Sequence, residues 1–457
     1  MHTNSTNLLS PKARVLVIGA GLAGSEAAFF LAERKISVVL IESKTLKLNP
    51  AQKIPTFAEL VCTNSLKSKD PEAAHGLLKT EMRALGSLIL KMAEENAVPA
   101  GEALAVDREK FSAAVTNVLS HHPYIQVHSL EASDPIMLQQ KFECDYVIVA
   151  TGPLTTSTLE KWILENISGD DFYFYDAIAP VVDADTLDYS KMYYKDRWKD
   201  NEEHADYLNA PMNKEQYYAF IEELKIAEKV PAKDFEKNIF FESCLPIDVM
   251  AERGMETARF SCMKPIGLKM KDGTMPFAVV QLRKENLLGS AFNLVGFQTR
   301  LTYKEQVRIF KMIPGFENAS FIHLGSVHRN SFLNARTLLN FDLSSKKFPT
   351  LHFAGQMTGV EGYTESASMG LYVAYQVLRK IRGQAAITFP NETCFGALIN
   401  YIMTVEKPSP SNINFGLIPT IELSPEQRKK DRKKARKTLA AERAQVMFKA
   451  FLESNPC

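Results

Sequence analysis

The hydrophobic pattern divides this chain into short apolar runs punctuated by glycine. Arg14-Val-Leu-Val-Ile18 reads as a strand, passes into Gly19-Ala-Gly-Leu-Ala-Gly24, and leads to the helical stretch Ser25-Glu-Ala-Ala-Phe-Phe-Leu31. A second strand, Ile36-Ser-Val-Val-Leu-Ile41, is closed by Glu42. Two later runs repeat the strand-then-glycine form: Asp145-Tyr-Val-Ile-Val-Ala-Thr-Gly152 and Leu351-His-Phe-Ala-Gly-Gln-Met-Thr-Gly359. Between them the pattern changes. Lys214-Glu-Gln-Tyr-Tyr-Ala-Phe-Ile-Glu-Glu-Leu-Lys225 has apolar residues at helical spacing, whereas Phe277-Ala-Val-Val-Gln-Leu282 and Phe292-Asn-Leu-Val-Gly-Phe297 read as paired strands across a glycine-containing link. Lys407-Pro-Ser-Pro-Ser-Asn-Ile-Asn-Phe-Gly416 reads as a linker. A final helix is expected to begin near Ser424-Pro-Glu-Gln427, with proline in its first turn.

A strand, a glycine turn and a helix are what a dinucleotide pyrophosphate requires. Gly19 permits the tight turn, Gly21 lets the backbone approach the phosphates, and Gly24 lets helix and strand pack closely; Ala20, Leu22 and Ala23 complete the loop. The helix N-terminus adds amide donors and a positive dipole. Glu42 stands at about the ~20-residue distance where a carboxylate grips a ribose hydroxyl. The two later glycine strands resemble the return segments of FAD-binding, disulfide-reductase-like flavoproteins, which simple NAD dehydrogenases lack. FAD is therefore the expected cofactor, with Thr151, Gly152, Gly355, Gln356 and Gly359 in its site. Because the last glycine strand must return to the first sheet, the expected fold is α/β. It comprises a Rossmann-like FAD-binding domain of the glutathione-reductase type over residues 14–180 and 330–390, interrupted by an inserted α+β domain over 181–329. Residues 391–457 are expected to supply the linker and a basic C-terminal helix.

Composition narrows the class. With 457 residues, 46% hydrophobic and 23% charged, the chain can bury a large core in two or three domains. The net charge of +1 conceals a run from Arg428 to Lys437 with eight Lys/Arg against one Asp. No uncharged apolar stretch approaches the ~20 residues a bilayer needs. Met1 to Ser10 have neither a basic start nor an apolar stretch of the secretory kind, so a cytoplasmic protein without a membrane partner is expected. Six cysteines without a Cys-x-x-Cys pair argue against a disulfide framework and against a metal site. Cys144, Cys262, Cys394 and Cys457 read as small buried hydrophobes. Cys62 and Cys244 differ, because each ends an apolar run beside an acid and small polar groups, where a thiol can face a cleft.

Several longer motifs carry a more specific likeness: Phe57-Ala-Glu-Leu-Val-Cys62 with Asn64-Ser-Leu66, Gly76-Leu-Leu-Lys79 with Glu81-Met-Arg83, and Val98-Pro-Ala-Gly101 with Ala103-Leu-Ala-Val-Asp-Arg108. To these are added Phe172-Tyr-Phe-Tyr-Asp-Ala177, Val295-Gly-Phe-Gln-Thr299, His328-Arg-Asn330 and Phe353-Ala-Gly-Gln-Met-Thr-Gly-Val-Glu-Gly-Tyr363. With the glycine loop, they make residues 14 to 385 resemble the bacterial folate- and FAD-dependent tRNA uracil-5-methyltransferases. The chain departs from that family's usual pattern at Glu42-Ser-Lys-Thr45, Cys62-Thr-Asn64 and Glu242-Ser-Cys-Leu-Pro246.

The resemblance implies that a one-carbon unit passes from 5,10-methylenetetrahydrofolate to carbon 5 of a T-loop uridine in tRNA, with NADPH or NADH as reductant. It implies Cys244 as the covalent nucleophile and Cys62 as the thiol that removes the carbon-5 proton or protects the loaded flavin, the two roles being exchangeable. Tyr363 is expected beside the flavin ring. Glu361 is expected at the flavin or the folate pterin, or as a helix cap, and His328 at the catalytic or folate site or as a structural histidine. Arg283 is expected at a phosphate or the folate glutamate, and Asp107 and Arg108 as an internal ion pair or a ligand contact. The basic run, read as a phosphate-binding helix, and Tyr193, Tyr194 and Trp198, read as base-stacking or core-edge aromatics, fit an RNA partner rather than DNA. Two other readings remain: the same chemistry on ribosomal RNA, and a wobble-uridine modification component like the larger glucose-inhibited-division-type flavoproteins.

Overall fold

Continuous apolar strands need cover on both faces, and a parallel sheet between helices provides it. In a computed structural model of the chain, the strands Leu351–Phe353, Tyr146–Val149, Arg14–Ile18, Ser37–Glu42 and Ile125–Ser129 lie side by side in that order, every pair parallel. The structure describes residues 13–456 apart from 50, 170–172, 198–204, 231–244, 286–288, 407–409 and 424–431. Arg14–Ile18 is central, and Val15, Leu16 and Val17 are wholly buried. The last glycine strand, some two hundred residues after the second, is thus an edge strand of the first sheet, paired with Tyr146–Val149.

Glycine sets the depth of packing on this sheet. Gly19 has φ +98°, and a side chain there would meet the Ala150 carbonyl oxygen at 2.7 Å. A methyl group on Gly24 would overlap the Gly19 carbonyl oxygen, and one on Gly370 would overlap that of Ala23. The second approach joins the helix Leu22–Glu33 to the helix Tyr363–Ile381, most of which is buried.

Between the two parts of this unit lies a six-stranded antiparallel sheet ordered Tyr193–Tyr194, Tyr207–Met212, Ala278–Lys284, Ala291–Leu294, Val181–Asp183 and Phe321–His323. It has its own core, in which Tyr217 and Phe220 of the helix Lys214–Ile226 pack with Phe292, Phe297, Phe310 and Phe316. The chain enters and leaves this unit through a two-stranded antiparallel ribbon, Tyr173–Ile178 against Ser326–Ser331.

The C-terminal region differs from the linker expected there. Cys394–Thr404 is a buried helix, and Phe389, Phe395, Phe448 and Phe451 form an aromatic cluster that seats the last helix, Arg432–Ser454, on the first core. Ser411–Ile413 is a strap: Ser411 bridges Val360, the Glu361 amide donates to the Ser411 carbonyl at 2.9 Å, and Ile413 is wholly buried. A single isoleucine between polar residues leaves no periodic signal, so composition alone suggests a linker. The expected start of the last helix at 424–427 lies outside the described residues. Among the described residues no helix is long and apolar enough to cross a membrane.

Gly24→Ala is expected to destabilise the apo-protein by at least the ~1–3 kcal/mol typical of overpacking, because the obstacle is backbone and cannot rotate away. Thermal unfolding measures this directly.

Candidate active site

The glycine turn opens onto two adjoining cavities of about 520 and 150 Å³. Gly19, Gly21, Glu42 and Thr151 line the larger. The smaller is lined by Leu22 and Ala23 of the turn, Gly152, Gly355 and Gln356 of the later glycine segments, and Cys62 and Tyr363. Gly21 and Thr151 belong to both, so the cavities form one cleft over the helix N-terminus. Ala20, Gly24 and Gly359 do not line it. Ala20 donates its amide to Glu42 Oε2 at 2.7 Å, Gly24 packs on Gly19, and Gly359, at φ +99°, closes the turn Gln356–Thr358.

Gly21 separates ligand shape from protein packing. A side chain there would find its nearest protein atom, the Ala150 carbonyl oxygen, at 3.9 Å. The protein itself therefore tolerates a methyl at this position, and the space it would take belongs to the cleft. A bare backbone at a helix N-terminus beside open space is the cradle a pyrophosphate fits. Glu42 also holds the turn in shape, since its Oε1 accepts the amides of Ser43 and Lys44 at 2.7 and 3.0 Å. Lys44, at the departure from the family pattern, does not itself line the cleft. Its ammonium group is buried against Glu59 Oε2 and the Thr56 carbonyl, both at 2.8 Å.

Cys62 sits in an irregular segment held largely by side chains. Tyr363, first residue of its helix, accepts the amides of Cys62 and Thr63 on its phenolic oxygen at 2.6 and 3.1 Å. Burial pushes the Tyr363 hydroxyl far above the usual phenol range, so it stays protonated. Arg108 donates to the carbonyls of Leu60 and Cys62 at 2.8 and 3.3 Å, and its Nε pairs with Glu285 Oε2 at 2.7 Å. Burial, the largest single influence, works against that guanidinium, but Glu285 together with Tyr363 and Cys62 outweighs it and keeps the group charged. Asp107 is not its partner, since it caps the following helix by accepting the Lys110 amide. Arg283 is buried and donates Nε to Asn64 Oδ1 at 2.8 Å and Nη2 to Thr63 Oγ1. Asn64 in turn donates to the carbonyls of Val106 and Lys284 at 3.1 and 2.9 Å.

Below Tyr363 lies a second polar layer. Glu365 is wholly buried, accepts the Ile413 amide at 3.2 Å, and faces His75 Nε2 at 3.4 Å. Burial first, then the charges of Lys67 and Lys79, lower His75 to about 3, so its ring is neutral at physiological pH. Lys67 donates to Asn412 Oδ1 at 2.5 Å, which ties the strap to the same layer. Glu361 is buried in this turn and does not line the cleft.

Other expected residues lie elsewhere. Cys244 and Trp198 fall outside the described residues. The chain just after Cys244 is anchored: the Ile247 amide donates to the Gln298 carbonyl at 2.8 Å, and buried Asp248 accepts Arg300 Nε at 2.7 Å and Thr299 Oγ1 at 3.0 Å. His328 lies in the ribbon, opposite Asp176. Tyr193 is a core-edge residue and not a stacking platform, because it is buried and its hydroxyl donates to the Leu268 carbonyl at 2.6 Å. Tyr194 is half-buried beside the same core. Sequence reading gave no role to Asn64 or Glu285, and no local pattern distinguishes them.

Comparison with known proteins gives consistent matches. The family described as glucose inhibited division protein A matches residues 14–385. The methylenetetrahydrofolate–tRNA-(uracil-5-)-methyltransferase TrmFO of Persephonella marina is 48% identical over 434 residues, covering 94% of this chain and 97% of that protein. The protein of the same name from Streptococcus agalactiae is 47% identical over 436 residues, covering 93% and 96%. Among solved structures, GidA of Aquifex aeolicus superposes with a TM-score of 0.67 at 16% identity, covering 96% of this chain and 76% of that one, which shows a shared fold.

Gly21→Ala is expected to unfold at the wild-type temperature yet bind its dinucleotide at least about tenfold more weakly, a change of ~1.4 kcal/mol. Apo-protein melting and dinucleotide titration separate the two effects.

Proposed function

This chain belongs to the glucose inhibited division protein A family and to the methylenetetrahydrofolate–tRNA-(uracil-5-)-methyltransferases within reach of it in sequence, and we propose that it methylates carbon 5 of a uridine in tRNA. The observation that carries this reading is identity of 47–48% across more than nine-tenths of both chains. We assign FAD to the cleft, 5,10-methylenetetrahydrofolate as one-carbon donor, NADPH or NADH as reductant, and the T-loop as the site of the uridine.

The residues of the cleft fit FAD: the bare backbone at Gly21 would take the pyrophosphate, Glu42 would bond the ribose, and Gly152, Gly355, Gln356 and Tyr363 would hold the ring. Bound there, the flavin supplies carriage of the one-carbon unit and the hydride that completes the methyl group. Cys62 stands beside that end of the cleft. Carbon 5 of uracil is a poor nucleophile until a thiolate adds to carbon 6. Cys244 takes that role: its sulfur bonds to carbon 6, and the electron pair of the ring double bond becomes available at carbon 5. Once carbon 5 has bonded to the one-carbon unit, the Cys62 thiolate takes the carbon-5 proton, the electron pair left behind re-forms the ring double bond, and Cys244 leaves carbon 6 as thiolate; the hydride would then replace the unit's bond to its carrier. The exposed Lys434, Arg436 and Lys437, early in the last helix, give a phosphate-binding face for the RNA.

Purified protein is expected to be yellow and to form ribothymidine in undermodified tRNA when given methylenetetrahydrofolate and NADPH or NADH, read by nucleoside analysis. A colourless protein that cannot be reconstituted with FAD would sink the proposal. Cys244→Ala is expected to abolish both methylation and covalent trapping of a 5-fluorouridine T-loop RNA while flavin reduction continues; ribothymidine at the normal rate would remove the nucleophile from that position. Replacing the exposed Lys434, Arg436 and Lys437 by Gln, which leaves Phe448 and Phe451 in the core, is expected to keep the flavin but weaken RNA binding and flatten its salt dependence, as a salt series would reveal.

A further inference from the structure

The segment from Leu60 to Asn64 belongs to no helix or strand, and several of its polar groups are held from elsewhere in the chain. A buried irregular segment must find partners for its amides and carbonyls, and here much of that work falls to side chains from three distant places. Tyr363 takes the Cys62 and Thr63 amides, Arg108 takes the Leu60 and Cys62 carbonyls, and Arg283 takes the Thr63 and Asn64 side chains. Tyr363 and Arg108 belong to the unit that builds the cleft. Arg283 and Glu285 belong to the inserted antiparallel unit, at the end of the strand Ala278–Lys284. Arg108 therefore holds the thiol segment with one side of its guanidinium and the inserted unit with the other, through Glu285 at 2.7 and 3.2 Å.

We propose that Arg108 and Glu285 are positioning residues for Cys62: the guanidinium fixes the cysteine carbonyl and stands near the thiol, and the carboxylate fixes the guanidinium, so that the thiol is set in place by the docking of the inserted unit. The proposal rests on the assignment of Cys62 to the reaction made above. A planar guanidinium suits the task, because its fork reaches two carbonyls and both oxygens of a carboxylate, four contacts where an ammonium group has only three donors. The two side chains also affect the thiol in opposite directions. The cation favours the thiolate, and the carboxylate, by partly neutralising the cation, moderates that effect. The charged groups around the segment are Arg108, Glu285 and Arg283, with Lys53 and Glu59 beyond them; burial lowers Lys53 to about 8, with Arg108 acting in the same direction.

The test measures the rate of iodoacetamide alkylation of Cys62 against pH in the FAD-loaded full chain, located by peptide mass, with no RNA or folate present. Arg108→Gln is expected to raise the pH midpoint of alkylation by about one unit or more, and Glu285→Gln to lower it. Glu285→Asp is expected to restore the wild-type profile in part. Flavin content and flavin reduction are expected to persist in all three variants, and ribothymidine formation to fall at least about tenfold in Arg108→Gln, as misplacement of a reacting group entails. Midpoints that stay fixed, or move together in both variants, would reduce the pair to a structural ion pair and overturn the proposal. Opposite shifts in a protein whose wild type makes no ribothymidine would uphold the positioning and sink the function instead.

Discussion

The contact on which the rest depends is that of Gly24 with the carbonyl oxygen of Gly19, an approach no side chain could share. It brings the helix N-terminus under the end of the central strand, where its unpaired amides face the cleft. The same helix, through Ala23, receives Gly370 of the helix Tyr363–Ile381. That second approach places the start of the later helix over the cleft, and with it Tyr363. Because Tyr363 holds the Cys62 amide, two backbone contacts between small residues set where the thiol segment lies.

Much of this frame is legible in the sequence because its causes are local. A glycine turn between an apolar strand and a helix needs only neighbouring residues to declare itself, and strand Leu351–Phe353 could be assigned to the first sheet by the same grammar. The helix expected over 214–225 is Lys214–Ile226, and the expected strand pair is Ala278–Lys284 against Ala291–Leu294. The thiol segment was legible only as a motif. Its partners Arg108, Arg283 and Tyr363 lie 46 to 301 residues away and carry no periodicity. The strap at 411–413 was hidden for a related reason, since hydrogen bonds to a distant turn leave no mark on hydropathy.

Motifs do not all mean chemistry. In Gly76-Leu-Leu-Lys79 and Glu81-Met-Arg83, Glu81 is buried and accepts the amides of Cys394 and Phe395 at 2.8 and 3.0 Å, capping the helix Cys394–Thr404 from another part of the chain. Lys79 is likewise buried, donating to the Ser68 and His75 carbonyls. In Val98-Pro-Ala-Gly101 the Gly101 amide donates to Asp206 of the inserted unit. Buried polar groups demand their partners as strictly as a ligand does, because an unpaired one costs ~1–3 kcal/mol. A sequence pattern registers that demand without saying which kind it is.

The ribbon formed by Tyr173–Ile178 and Ser326–Ser331 has a consequence for the architecture of the gene product. Ile178 lies opposite Ser326, so the two ends of the inserted unit are a single strand spacing apart. Replacing everything between them with a tight turn would close the ribbon into an ordinary hairpin and leave the five-stranded sheet intact. The inserted unit is in this sense a cassette: it can be exchanged or lengthened with little topological disturbance to the nucleotide fold, and its attachment is secured by the side chains that meet across the boundary.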